Sequence, residues 1–169
     1  MATDLYPKAT YVPALPANVG GVLEPARVRL IVAHVAQGTS QSGIDSWFRN
    51  PAAQVSAHFS VSRLGVVHQH VPLSRIAWAE RDYNDVAVSI EHLGYSGDKL
   101  TRPQLAASLR LMVWLVGEFP HLVLRRTGDP DGRGVIGHGE LGVAGGDHIS
   151  CPGTPILDQL AKALSLPKK

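Results

Sequence analysis

Residues 27–35, RVRLIVAHV, are dense in β-branched and aliphatic side chains. Their alternating positions are largely apolar on both sides, which is typical of a central strand covered on both faces of a sheet. VAVSIEH, residues 86–92, predicts a second strand, with Glu91 on its less apolar face. His34 and Glu91 therefore lie near the ends of two predicted strands, where site residues of α/β sheets often occur.

Three segments have the periodicity or the flanking residues of helices. The clearest is residues 101–119, because Thr101 and Gln104 have the spacing of a capping box. Its predicted buried stripe consists of apolar residues near the helical period: Leu105, Leu109, Met112, Val113 and Val116. Shorter helices are predicted over residues 44–49 and 155–164.

The other segments predict a hairpin and shorter pieces. Residues 58–62 and 66–71 flank a turn with a glycine, a spacing that predicts a β-hairpin. We expect residues 72–79 to be irregular or helical and residues 122–124 to form a short strand. Strands and helices mixed in this way indicate an α/β fold, a single domain with a central mixed β-sheet flanked by helices.

Composition limits the classes of function. The chain has 169 residues, 44% of them hydrophobic and 18% charged, as in a globular protein of one domain. Residues 1–26 contain four prolines and predict an extended N-terminal arm, followed by a domain over residues 27–169. The net charge of +2 is too small to indicate nucleic-acid binding, and no apolar run is long enough for membrane insertion. The N-terminus shows no basic segment followed by an apolar run, so we expect no secretory signal.

GVIGHGELGVAGGDHISCPG, residues 134–153, concentrates side chains that can carry chemistry. Cys151 is the only cysteine, and the proline and glycine that follow it predict a turn. A thiolate in a rigid turn is either a nucleophile or a metal ligand. We favour the metal ligand, because other segments offer partners for it.

A catalytic zinc takes three protein ligands and leaves one position for water or substrate. His34, His138 and Cys151 come from separate segments and satisfy this requirement. Zinc acidifies water, and a carboxylate is still needed to accept the proton and deliver it to the leaving group. Glu91 is the best-placed carboxylate. The sequence therefore predicts a His-His-Cys zinc site with a neighbouring acid–base residue.

Five motifs together resemble the zinc-dependent N-acetylmuramoyl-L-alanine amidases, whose fold is shared with the peptidoglycan-recognition proteins. They are IVAHVAQGT, VSAHFSVSRLGVVHQHVPLSRIAW, NDVAVSIEHLGY, IGHGEL and SCPG, and the resemblance runs over residues 27–164. It implies an amidase catalytic domain with Zn²⁺ in a groove on one face of the sheet. The implied reaction is hydrolysis of the amide bond between N-acetylmuramic acid and L-alanine in bacterial peptidoglycan.

The resemblance also implies roles for individual residues. It makes His34, His138 and Cys151 the zinc ligands and Glu91 the catalytic carboxylate. Trp78 and Asn84 become contacts to the substrate.

Three departures from the family pattern accompany these roles. Many members carry a lysine where this chain has Ile149, and we assign the stabilisation of the developing oxyanion to the neighbouring His148 instead. Some members carry a tyrosine where this chain has Ala57, which increases the demand on Glu91. The family tryptophan is often followed by histidine, and here Ala79 follows it.

The resemblance implies peptidoglycan as the partner and a monomeric protein. It also suggests the amidase domain of a phage endolysin, held in the host cytoplasm until it is released to the cell wall at lysis. The main alternative is a non-catalytic peptidoglycan-binding module of the same fold. A cysteine peptidase would leave His34 and Glu91 unexplained. A zinc nucleoside deaminase is suggested by His138-Gly139-Glu140, but it also needs a P-C-x-x-C motif with two cysteines, and this chain has one cysteine.

The remaining chemistry-bearing residues receive structural interpretations. His68 and His70 share one face of a predicted strand and are expected to face solvent. His58 is expected to form structural hydrogen bonds, Trp114 to lie in the core, and Glu140 to shape the loop after His138.

Overall fold

The apolar stretch around residue 30 forms an interior strand of a mixed sheet, one place from the edge rather than at the centre. In the computed structural model, which describes residues 4–165, this strand is β3, Leu30–Val35, and all six of its residues are buried. The other strands within the described residues are β1 Thr10–Tyr11, β2 Val19–Val22, β4 Phe59–Val61, β5 Val67–Gln69, β6 Arg75–Ala77, β7 Ala87–His92 and β8 Gly134–Gly137.

Six of these strands form one sheet in the order β1-β5-β4-β7-β3-β8, and β2 pairs with β6 in a separate two-stranded sheet. β3 runs parallel to both of its neighbours, β7 and β8, whereas β4 and β5 form the predicted antiparallel hairpin. The register places His34 beside Glu91, and Ala33 beside Gly137. The predicted α/β fold with a central mixed sheet is confirmed.

Within the described residues the α-helices are α1 Gln41–Arg49, α2 Arg102–Glu118 and α3 Thr154–Leu164. Ile31, Ala33 and Val35 of β3 belong to the same core cluster as residues of α2 and α3. Successive side chains of a strand point to opposite faces, so His34 lies on the face turned away from those two helices. That face carries the site.

The predicted helix over residues 101–119 is present, and Thr101 and Gln104 form the predicted capping box. Its buried stripe is wrong in detail. Only Met112 of the five predicted residues is fully buried, and Val113 is 54% exposed. The buried side chains of α2 are Gln104, Ala107, Ser108, Leu111, Met112 and Leu115. Gln104 explains the difference, because its side-chain amide donates to the backbone oxygens of Val61 and Leu93 and turns this face inward.

Three other local predictions are also wrong. Residues 72–79 contain the strand β6, which pairs with β2. Residues 122–124 form no strand, and the nearest pairing is an isolated bridge between Arg126 and Val135. The hairpin histidines do not face solvent. His70 is buried between Ser60 and the backbone oxygen of Val12, and His68 contacts the carboxylate of Asp45.

The N-terminal segment contributes to the sheets. β1 adds to the edge of the large sheet beside β5, and β2 pairs with β6. The division into an arm over residues 1–26 and a domain over residues 27–169 stays a prediction, and its first three and last four residues lie outside the described part. Across residues 4–165, no helix has both the length and the apolarity that a bilayer crossing requires.

Candidate metal centre

Three adjacent parallel strands bring the predicted site residues together. β7, β3 and β8 lie side by side, and their carboxyl ends carry Glu91, His34 and His138 respectively. His138 follows β8 directly, because that strand ends at Gly137. The edge formed by the carboxyl ends of parallel strands is the usual place for a binding crevice in an α/β sheet.

Cys151 reaches this edge from a turn just before α3. Its N–H donates to the oxygen of His148 at 2.8 Å, and its own oxygen accepts from Gly139 at 2.7 Å. A Cβ atom added at Gly139 would lie 2.8 Å from the oxygen of His148, so a larger residue would push the two segments apart. The Sγ atom accepts a hydrogen bond from the N–H of Val35 at 3.4 Å, which fixes the thiol beside β3.

Ligand atoms of His34, His138 and Cys151 all lie within 4.8 Å of one another. The two imidazole rings have centroids 4.3 Å apart, and both histidines are buried. Two imidazoles and one thiol are a ligand set that binds soft or borderline divalent metals. The structure therefore places the three predicted ligands where they could hold one metal ion together.

The other nitrogen of each ring is already hydrogen-bonded. His34 Nε2 lies 3.0 Å from the Oε1 atom of Glu80, and His138 Nε2 lies 2.8 Å from the backbone oxygen of Gly145. Both partners accept hydrogen bonds, so each ring donates through Nε2 and retains Nδ1 as a ligand atom. Histidines that bind metals commonly donate their second ring nitrogen in this way.

Burial and nearby charges shift the pKa values of the site. Burial alone lowers the pKa of His34, but hydrogen bonds to Cys151 and Glu80, with the negative charges of Glu91 and Glu80, raise it well above its usual range. Burial and the neighbouring His34 lower the pKa of His138 to about 3. Burial also raises the pKa of Glu91, against the opposing effect of His34.

A cavity of about 310 Å³ opens over the three ligands. Glu91 and Trp78 line it, together with Trp47 of α1. The Oε2 atom of Glu91 is buried and has no hydrogen-bond partner among residues 4–165. A carboxylate that is short of partners beside three metal-type ligands is available to exchange a proton with a molecule in the cavity.

His148 and Asn84, the remaining polar residues of the predicted site, differ in what their side chains contact. His148 stacks on His138 with a centroid distance of 4.5 Å and borders the same cavity. Ile149, which stands where many relatives carry lysine, is 81% exposed. Asn84 lies further out and lines an adjoining cavity together with Trp78 and His148. Its Oδ1 atom accepts hydrogen bonds from two backbone N–H groups, those of Ala79 and Glu80.

Several structural interpretations of the sequence are confirmed. Glu140 accepts hydrogen bonds from the N–H of Gly137 and from Arg126, and so it shapes the loop after β8. His58 bonds to Ser89 and to the backbone, as expected. Trp114 packs at the edge of the core.

Sequence reasoning missed Glu80, the hydrogen-bond partner of His34. Glu80 is 0% exposed, whereas glutamate is almost never fully buried without a partner. It lies two residues after Trp78 in a segment without periodicity, so nothing in the sequence pattern indicates that it is buried. Its role emerges only when the loop is folded against β3.

The fold and the site define the chain as a mixed-sheet α/β domain with a candidate metal centre at the carboxyl edge of its parallel strands. The sequence matches the family described as N-acetylmuramoyl-L-alanine amidase over residues 24–154. Since this match covers most of the chain, the protein belongs to that family. The resemblance stated from the five motifs is confirmed.

One curated relative matches part of the chain. N-acetylmuramoyl-L-alanine amidase A of Achromobacter lyticus is 38% identical over 69 residues. The match covers 40% of this chain and 38% of that protein, so it spans well under half of either.

Solved structures share the fold over nearly the full chain. A crystal structure of an AmpD derivative superposes with a TM-score of 0.73 at 20% identity, covering 98% of this chain and 99% of the other. The endolysin amidase LysCS from Clostridium intestinale gives a TM-score of 0.71 at 16% identity, covering 98% of this chain and all of the other. At such identities these matches establish the architecture alone.

Proposed function

We propose that this protein is a zinc-dependent amidase that cleaves the bond between N-acetylmuramic acid and L-alanine in bacterial peptidoglycan. One observation carries the proposal: His34, His138 and Cys151 converge from three segments beneath a cavity that Glu91 also lines. Membership of the amidase family over residues 24–154 supplies the reaction. A binding module without activity would not need this set of ligands and acid–base residue together.

Zinc is the metal that suits this site. Imidazole and thiolate ligands together favour zinc over calcium and magnesium, which prefer oxygen. Three protein ligands are the number found in catalytic zinc sites. When bound, zinc supplies a Lewis acid for the scissile carbonyl and lowers the pKa of water towards neutrality.

Glu91 serves as the acid–base residue of the proposed reaction. Its carboxylate accepts the proton of the attacking water and then delivers it to the departing nitrogen of L-alanine. The raised pKa of Glu91, caused by burial, suits a group that both accepts and donates a proton. Its position beside His34 in the strand register keeps it next to the three proposed ligands.

The walls of this cavity and of the adjoining one bind and orient the substrate. His148, at the rim, donates a hydrogen bond to the oxygen that gains negative charge during the attack. Trp78 presents a half-buried indole to the sugar or lactyl group. Asn84 contacts the substrate through its Nδ2 group, since its Oδ1 atom is occupied by backbone N–H groups.

The proposed partner is peptidoglycan, acted on by the protein as a monomer. The similarity in fold to an endolysin amidase supports a role in lysis of the cell wall, with release from the host cytoplasm at that stage.

Digestion of purified peptidoglycan tests the proposal. Wild-type protein loaded with zinc is expected to release free amino groups of L-alanine without producing new reducing sugar ends. Protein stripped of metal by a chelator is expected to lose this activity and to regain it when zinc is restored. Sedimentation with peptidoglycan but no release of amino groups would identify a binding module instead. Full activity in metal-free protein would reject the zinc mechanism.

A further inference from the structure

We propose that Glu80 is a positioning residue that fixes the imidazole of His34 so that its Nδ1 atom points at the metal. The proposal rests on the proposed function, because it assumes that the ion is zinc. Glu80 lies outside the set of three ligands and is distinct from Glu91, the proposed acid–base residue.

The first observation is the isolation of the Glu80 carboxylate. The side chain is 0% exposed, and Oε1 lies 3.0 Å from the Nε2 atom of His34. The Oε2 atom is buried and has no hydrogen-bond partner among residues 4–165. Within that range, the imidazole of His34 is therefore the sole side chain to which this carboxylate is hydrogen-bonded.

The second observation is an excess of negative charge around one ring. Glu80 is hydrogen-bonded to the His34 ring, and Glu91 is the neighbour of His34 in the strand register, with a buried Oε2 atom that has no hydrogen-bond partner among residues 4–165. Burying two carboxylates beside one imidazole is costly unless a positive charge compensates them. A divalent cation on the opposite ring nitrogen supplies that charge. The arrangement matches the carboxylate–histidine–metal chains that orient metal ligands in other proteins.

The third observation is the support beneath Glu80. Asn84 Oδ1 accepts the backbone N–H of Glu80 at 2.6 Å and that of Ala79 at 3.0 Å. The backbone N–H of Tyr83 donates to the backbone oxygen of Glu80 at 3.0 Å. Arg81, which follows, has a φ of 47°, a left-handed conformation that is uncommon for a residue other than glycine. The loop thus holds the carboxylate in place by contacts that do not involve His34.

The second metal-type histidine has an equivalent support. His138 Nε2 donates to the oxygen of Gly145, in the short 3₁₀ turn Val143–Gly145. This turn contacts the 3₁₀ turn Arg81–Tyr83 that follows Glu80. The two acceptors that orient the rings therefore lie on neighbouring turns, and both rings present the same nitrogen to the centre.

Zinc affinity of Glu80 variants tests the proposal directly. Competition with a chromophoric chelator is expected to show zinc bound about 10-fold more weakly by Glu80→Gln and up to about 100-fold more weakly by Glu80→Ala, in the range typical of such partners. Asp45→Asn is the matched control, since Asp45 also pairs with a histidine, His68, at 3.1 Å but lies in a separate cluster. Its zinc affinity is expected to equal that of the wild type.

A measurement on the wild type covers the case in which Glu80 variants do not fold. Long-range ¹H–¹⁵N spectra of the zinc-loaded protein are expected to show His34 with its proton on Nε2 and with slow exchange. A proton on Nδ1, or equal zinc affinity in Glu80→Gln and wild type, would overturn the proposal while leaving the zinc amidase intact. Wild-type protein that binds no zinc would instead overturn the proposed function, and the role of Glu80 with it.

Discussion

Two groups of buried histidines differ in how their ring nitrogens are used. His58, His70 and His92 each form hydrogen bonds through both ring nitrogens, to hydroxyl groups and to backbone oxygens. His34 and His138 each donate through Nε2 to an oxygen, and both rings lie with Cys151 in one set of metal-type ligand atoms within 4.8 Å of one another. Burial is similar in both groups, so a ring nitrogen without an oxygen partner among residues 4–165, rather than burial, distinguishes a candidate ligand from a structural histidine.

The largest expected effect comes from removing a ligand. Cys151→Ala is expected to reduce bound zinc from about one ion per chain to near zero and amidase activity to background, because two imidazoles alone hold the ion weakly. His58→Ala is the contrasting variant and is expected to destabilise the fold, since it leaves buried partners unpaired. Metal analysis and circular dichroism of both proteins check this. Retained zinc in Cys151→Ala would erase the distinction between the two groups.

The next effect separates chemistry from metal binding. Glu91→Gln is expected to keep zinc and fold but to lose about 10²- to 10⁴-fold in turnover, the usual contribution of an acid–base group. The assay is release of L-alanine amino groups, alongside zinc content of the same sample. Turnover within a few-fold of the wild type would remove Glu91 from the mechanism.

Acid stability follows from the structural histidines. Burial lowers the pKa values of His58, His70 and His92 to about 4, from an ordinary 6.5. Between these values the unfolded chain binds more protons, so stability is present above pH 6.5 and declines as the pH falls towards 4. The three groups contribute at most about 4 kcal/mol per pH unit. In metal-free protein His138, whose pKa is also lowered, steepens this slope, whereas Glu91, whose pKa is raised by burial, opposes it.

Denaturant unfolding of metal-free protein from pH 7 to pH 4.5 measures this slope. His70→Gln is expected to flatten it by roughly one proton. A free energy of unfolding that stays constant over that range would show that these histidines are not buried in neutral form.

The smallest effect is expected at the rim. His148→Ala is expected to lower turnover about 10-fold, equivalent to ~1.4 kcal/mol. Zinc affinity is expected to stay unchanged, because His148 is exposed and only stacks on the ligand His138 without belonging to the ligand set. Ile149→Ala is a suitable control on the adjacent exposed position. A loss of zinc in His148→Ala would place this residue with the ligands instead.

The sequence predicted the parts of the site that lie on strong local patterns. The apolar stretch of β3 and the alternation of β7 located His34 and Glu91, and their register beside one another follows from parallel pairing. The strand β8 was missed because its four residues, two of them glycines, show no usable period. His138 and Cys151, which follow this strand, were identified only because their residue types can bind a metal.

The remaining errors come from tertiary contacts. The buried face of α2 differs from the predicted one because Gln104, a polar residue, is buried by hydrogen bonds to the backbone oxygens of Val61 and Leu93. Glu80 was missed for a similar reason, since its burial depends on a loop whose support comes from Asn84. Polar groups buried through distant partners leave no periodic signal in the sequence.

Anomalous diffraction from zinc-loaded crystals at the zinc absorption edge locates the bound ion. A single strong peak is expected, bounded by the Nδ1 atoms of His34 and His138 and the Sγ atom of Cys151. A peak at another place, such as the cluster of His68 and Asp45, or zinc held without Cys151, would contradict it.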